Sequence, residues 1–104
     1  KNGQWTISKS FDTFLSIGPW IETELDSLSL DVAAHLNGER KQYSNTKNLI
    51  FPVAELVAYL SSVMTLEPGD IIMTGTPSGV GPMAGGDEIA IEIEGIGRLV
   101  NKVR

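Results

Sequence analysis

The sequence predicts a mainly β domain of the α+β class with one amphipathic helix. Three observations carry that reading. Residues 28–36 alternate apolar and polar and end on Asn37-Gly38. Residues 53–64 switch to a helical apolar stripe, and residues 89–93 alternate again.

Each element follows in order. Residues 1–20 mix aromatic and polar side chains, and Gly18-Pro19 punctuates them as a turn or extended stretch. Leu28, Leu30, Val32, Ala34 and Leu36 then share one parity, while Ser29, Asp31, Ala33 and His35 take the other. That pattern is a half-buried strand over 28–36. Asn37 and Gly38 both tolerate positive φ, so they predict a two-residue hairpin with a return strand from Glu39 to Ser44. Val53, Leu56, Val57, Leu60, Val63 and Met64 recur at helical spacing and form one stripe. Pro52 suits the first helical position, Glu55 complements the positive end of the helix dipole, and Pro68-Gly69 stops the helix. The short apolar run Ile71-Ile72-Met73 predicts a buried strand, followed by a Gly- and Pro-rich loop from Thr74 to Pro82. The last alternation turns at Gly95-Ile96-Gly97 into a strand from Arg98 to Val103. The helix is expected to cover one face of the sheets.

Composition bounds the function. The chain has 104 residues, 41% hydrophobic and 20% charged, which is globular rather than disordered and allows one domain. Its net charge of −5 argues against a nucleic-acid partner, because phosphate binding needs clustered Lys and Arg. No apolar run reaches the roughly 18 residues of a membrane helix, so no membrane partner is expected. No basic stretch followed by an apolar one opens the sequence, and a cytoplasmic location fits. Cysteine is absent, which removes disulfides, thiolate nucleophiles and Cys-zinc sites. Lys1 opens the chain without an initiator methionine, and Val103-Arg104 closes it just after an alternation. Neither end reads as a natural terminus with a cap or tail, which truncation and cleavage explain equally.

Few residues stand out as chemistry. Gly75, Gly79 and Gly81 let backbone N–H groups approach a ligand, and Thr76 adds a hydroxyl at the end of an apolar run. The same loop also reads as a tight turn between two strands. It is not a phosphate-binding P-loop, since no Lys follows the glycines and no helix follows the loop. Lys9, within Ser8-Lys9-Ser10-Phe11-Asp12-Thr13-Phe14, suits an anionic substrate or a polarised carbonyl, and equally a surface position. His35, the sole histidine, falls on the polar parity and reads as solvated. Glu92 and Glu94 share one strand face, as cation ligands or as ordinary solvent-facing residues. A Ser-His-Asp triad cannot be assigned from spacing.

Several segments together resemble one family. Lys9-Ser10-Phe11-Asp12, then Ile17-Gly18-Pro19-Trp20, resemble the "KSFD…GPW" block of fumarylacetoacetate hydrolase family proteins. Asn37-Gly38-Glu39 with Gln42 resembles its "NGE..Q" hairpin, and Asn45-Thr46 through Val53 the run entering its helix. Thr65 to Gly81 is similar to its "TLePGDvI.TGTP.GVG" signature, and Gly86-Asp87 and Ile93 to Gly97 to its closing strands. The order and spacing cover nearly the whole chain and are most similar to the bacterial short-chain members.

The resemblance implies a mixed β-sandwich roll and a divalent cation, Mg²⁺ or alternatively Mn²⁺ or Ca²⁺. It implies hydrolysis, decarboxylation or isomerisation of small 2-oxo or β-keto (di)carboxylates through a metal-stabilised enolate. Lys9 matches the family's active-site lysine and Thr76 its substrate-contacting threonine. Gly75 and its neighbours would supply donors to a substrate carboxylate. Thr13 lies in the segment where the family places a second, structural cation. A homodimer is expected on the same ground. The chain departs from the pattern in one respect. The family's catalytic metal carboxylates, a Glu-x-Glu pair and a later Asp, precede the "KSFD" block and have no counterpart in these residues. Residues 1–104 therefore read as the C-terminal part of one catalytic domain, without its catalytic metal ligands. The competing reading is a non-catalytic β module serving assembly or binding.

Overall fold

A computed structural model of the chain describes residues 15–104. Among these residues, four strands form one antiparallel sheet, joined by a single α-helix and a 3₁₀ turn. The strands are β1 (Asp31–Leu36), β2 (Glu39–Asn45), β3 (Glu88–Ile93) and β4 (Gly97–Lys102). The 3₁₀ turn is Thr46–Asn48 and the helix α1 is Val53–Val63. The sheet order is β2-β1-β3-β4, so two hairpins meet along a β1/β3 seam. The expected fold class, mainly β with one helix, is what the chain adopts.

The β1/β2 hairpin forms as its turn residues dictate. Asn37 and Gly38 take φ of 52° and 84°, the left-handed conformation that matches the twist of the flanking strands. Asn37 also reaches β3. Its N–H donates to the Glu88 carbonyl (2.8 Å), its Oδ1 accepts from the Glu88 N–H (2.9 Å), and its Nδ2 donates to Asp87 Oδ1 (3.0 Å). The predicted first strand begins three residues late. Leu28 N–H is taken by Asp26 Oδ1 and Leu30 N–H by Thr46 Oγ1, so side chains hold this backbone in place of a ladder.

Register sorts the sheet into two unlike faces. Val32, Ala34 and Leu36 lie opposite Ile93, Ile91 and Ile89, which makes one face apolar. Ala33 and His35 pair with Glu92 and Ala90, and Glu92 with Arg98, which makes the other largely polar. Leu30, Ala34 and Ala90 are the buried apolar residues among those described. Both alanines sit on the central strands, each flanked by a paired strand on either side.

Two expectations about the crossover between β2 and β3 are corrected. Ile71–Met73 joins none of the strand ladders, and Ile71 and Met73 are 51% and 78% exposed. Apolarity states that a run prefers burial, but a strand also needs an open edge alongside it. Nor does α1 cover the sheet. Its stripe is only half-buried at Val53, Leu56 and Leu60, with Val57, Val63 and Met64 exposed, and it does not pack on a strand as the strands pack on one another. A helical stripe specifies a face to bury, not the surface that buries it. No helix among the described residues is long and apolar enough to cross a membrane.

Asp87 fastens the entry to β3. Its Oδ2 accepts from the Ala84 N–H (2.8 Å) and its Oδ1 from Asn37 Nδ2. The Ala84 backbone bond, then the Asn37 amide, hold its carboxyl below the usual carboxylate range. A depressed native pKa gives stability that is present above the ordinary Asp value and lost as pH falls below it. Asp87→Ala is therefore expected to melt below the wild type at pH 7. The two melting curves should converge as pH falls through about 4 and below. Thermal unfolding followed across pH checks this, and a constant offset down to low pH would refute it.

Candidate active site

The Thr74–Pro82 loop returns alongside β2 and closes a groove of about 580 Å³ against the apolar face. Val32, Ile91 and Ile93 form its floor, and Gly75, Thr76 and Gln42 its polar rim. Among the described residues, the side-chain hydrogen bonds between loop and sheet come from Gln42. Gln42 Nε2 donates to Thr76 Oγ1 (3.0 Å) and to the Pro77 carbonyl (2.7 Å), and lies 3.4 Å from the Ser78 carbonyl.

Among the described residues, this arrangement leaves donors unpaired at the groove. Thr76 Oγ1 accepts from Gln42, so its own hydrogen is available to another acceptor. Among the described residues, the Gly75 and Thr76 N–H groups bond no other backbone group. Gly75 has φ +102° with open space where a Cβ would stand, which lets a ligand oxygen approach the main chain. The set can hold a small anionic oxygen such as a carboxylate over an apolar floor.

Gly79 corrects the expectation that all three loop glycines face a ligand. A Cβ there would collide with the Lys41 carbonyl oxygen and stand 2.9 Å from Gln42 Cγ. This glycine is required by the loop's close approach to β2, whereas Gly81 has open space around it.

Of the predicted site residues, the structure brings Gly75 and Thr76 together at the groove. Lys9 and Thr13 lie outside the described residues. Gln42 belonged to the sequence reading only as a motif letter. No pattern in the chain linked it to a threonine in a distant loop, and only the folded register shows their meeting.

The polar face carries a smaller groove of about 380 Å³, lined by Asp31, His35, Tyr43, Glu92 and Glu94. Glu92 Oε1 lies 3.3 Å from His35 Nε2 and 3.4 Å from Arg98 Nη1. The His35 side chain is only 19% exposed, so the solvated reading is corrected to a half-buried one beside Glu92. Hydrogen bonding to the Asp31 carboxylate, and then its negative charge, raise the Tyr43 phenol above its ordinary range. Glu94 Oε1 accepts from the Asp31 N–H (3.0 Å). Among the described residues, no three His, Cys, Asp or Glu side chains converge as a metal site. These residues therefore do not by themselves fit a divalent cation. Glu92 and Glu94 also line the polar groove, away from Thr76.

Known proteins share this fold. A 2-hydroxyhepta-2,4-diene-1,7-dioate isomerase from Mycobacterium marinum superposes with a TM-score of 0.93 and 50% identity, covering 96% of this chain and 40% of that one. A maleylpyruvate hydrolase from Sphingobium sp. SYK-6, solved with manganese(II) and pyruvate, gives 0.86 and 43%, covering 90% of this chain and 37% of that one. An uncharacterized protein of Methanocaldococcus jannaschii is 58% identical over 104 residues, all of this chain and 44% of that protein. The chain thus spans less than half the length of these relatives. The family model described as fumarylacetoacetate (FAA) hydrolase C-terminal matches residues 1–104. With fold and sequence in agreement, the chain belongs to the fumarylacetoacetate hydrolase family.

Proposed function

We propose that the protein carrying this chain is a divalent-metal-dependent enzyme. Its substrates are small 2-oxo or β-keto (di)carboxylates, whose C–C bonds it hydrolyses, decarboxylates or rearranges. The observation that carries the reading is the Thr76 hydroxyl, bound as acceptor by Gln42 and left to donate beside the open Gly75 main chain. In this reading Thr76 and Gly75 hold a substrate carboxylate, and the apolar floor takes the carbon chain. Lys9 supplies a positive charge to the reacting end. The manganese and pyruvate of the Sphingobium hydrolase support both the cofactor class, Mg²⁺ or Mn²⁺, and the substrate class. The cation is assigned to carboxylates outside this chain, and Thr13 to a second, structural cation. The same reading has the full protein working in the cytoplasm as a homodimer. Exposed apolar side chains such as Ile21 and Ile50 support burial against further protein.

Turnover of oxaloacetate and an acylpyruvate by the full-length protein, with Mg²⁺ or Mn²⁺ added, tests the assignment. Lys9→Ala should lower kcat about 10²-fold, as loss of a charge at the reacting centre does. Thr76→Ala should raise KM about 10-fold, the loss of one donor to a charged ligand. Wild-type kinetics in both variants would overturn the site.

A further inference from the structure

We infer that Gln42 is a positioning residue: its amide, seated by a β-bulge, fixes the polarity of the Thr76 hydroxyl toward the substrate. The inference rests on the reading that Thr76 contacts substrate.

The seat is built into the β1/β2 register. Ala34 pairs with Gln42, but His35 pairs with Arg40, so Lys41 is an extra residue in β2. A bulge of this kind bends its strand and re-aims the neighbouring side chain. Here the loop docks on both consequences. The Lys41 carbonyl occupies the space beside Gly79 that a Cβ would need, and the Gln42 side chain reaches Thr76, Pro77 and Ser78.

The chemistry of the amide then sets one orientation. All three of its neighbours are oxygens, and two are carbonyls that can only accept. Turning the amide over would set its own oxygen against the Pro77 carbonyl at 2.7 Å. The nitrogen must therefore face the loop, and Thr76 must accept from it. A threonine hydroxyl that accepts from one side donates to the other, and the β-branched side chain has few rotamers in which to do otherwise. Gln42 touches no substrate in this scheme. It determines which way the Thr76 hydrogen points.

Gln42→Met keeps the side chain's length and removes both donors. In the full-length protein it should raise KM for the 2-oxo acid about 5- to 10-fold with kcat within about 2-fold, because a lost contact to a bound carboxylate is paid in binding. In a Thr76→Ala background the same change should add less than about 2-fold, since the hydroxyl it orients is gone. A merely structural Gln42 would lower kcat by reducing the folded fraction, leave KM alone, and cost the same in both backgrounds; that result overturns the inference. If Thr76→Ala raises KM but Gln42→Met does not, the inference fails and the substrate reading stands. If Thr76→Ala leaves KM unchanged, the substrate reading itself fails. Should Gln42→Met not fold, Gln42→Glu is read by the same cycle, with its carboxylate reversing the polarity at Thr76.

Discussion

Gly79→Ala is expected to lower kcat/KM of the full-length protein about 10²-fold, because a small misplacement of binding groups can cost that much. Two separate penalties meet at this position. The backbone has φ +106°, where an L side chain is strained by about 1–2 kcal/mol. The added methyl would also run into the Lys41 carbonyl, and overpacking of that kind costs about 1–3 kcal/mol. The Lys41 carbonyl, though bulged, lies between the paired residues Arg40 and Gln42 and yields less readily than a loop. The loop therefore lifts off β2 and takes Thr76 with it. Two neighbouring glycines separate the penalties. Gly75, at φ +102° with open space around it, carries strain alone, so Gly75→Ala should cost about 1–2 kcal/mol in thermal or urea unfolding. Gly81 has neither feature, and Gly81→Ala should change stability by no more than about 0.5 kcal/mol. Equal effects at all three positions would refute the account of the loop's docking.

Removal of divalent cations is expected to cost more. Exhaustive chelation of the full-length protein should lower turnover at least 10³-fold, on the scale of several kcal/mol that a bound cation supplies, and Mg²⁺ or Mn²⁺ should restore it. Calorimetric titration of either cation into the 104-residue chain should show no stoichiometric site of micromolar affinity beyond the structural one assigned to Thr13. The acidic side chains support this expectation. Glu92 pairs with Arg98, Glu94 accepts from the Asp31 N–H, and Asp87 accepts from Ala84 and Asn37. Hard divalent cations need several converging oxygens, and the described residues offer no such cluster. Undiminished turnover after chelation would overturn the metal dependence, and a tight site on the isolated chain beyond the one assigned to Thr13 would overturn the placement of the catalytic cation.

Local chemistry was the legible part of this sequence. Asn37-Gly38 announced its hairpin because both residues accept the left-handed backbone that the turn requires. The stripe from Val53 to Met64 announced its helix, which runs from Val53 to Val63 with Pro52 as its cap rather than its first residue. Gly75 and Thr76 were legible as loop chemistry because a hydroxyl beside a glycine is unusual at the end of an apolar run. What stayed hidden depends on partners distant in sequence. Ile71–Met73 looked like a strand because apolar content is local, while an available sheet edge is not. The covering of α1 was hidden for the same reason. Gln42 acts through a bulge, and a bulge is a mismatch between two strands that neither strand carries alone.

The β1/β3 seam has a thermodynamic consequence. Thr76 is held by Gln42 of one hairpin, while Ile91 and Ile93 beneath it belong to the other. The groove therefore exists only while the two hairpins are joined. Whatever occupies it binds the closed sheet and not the parted hairpins, so occupancy and seam closure are linked equilibria. A ligand held there is in this sense a component of the sheet's cohesion, and its release loosens what its binding tightens.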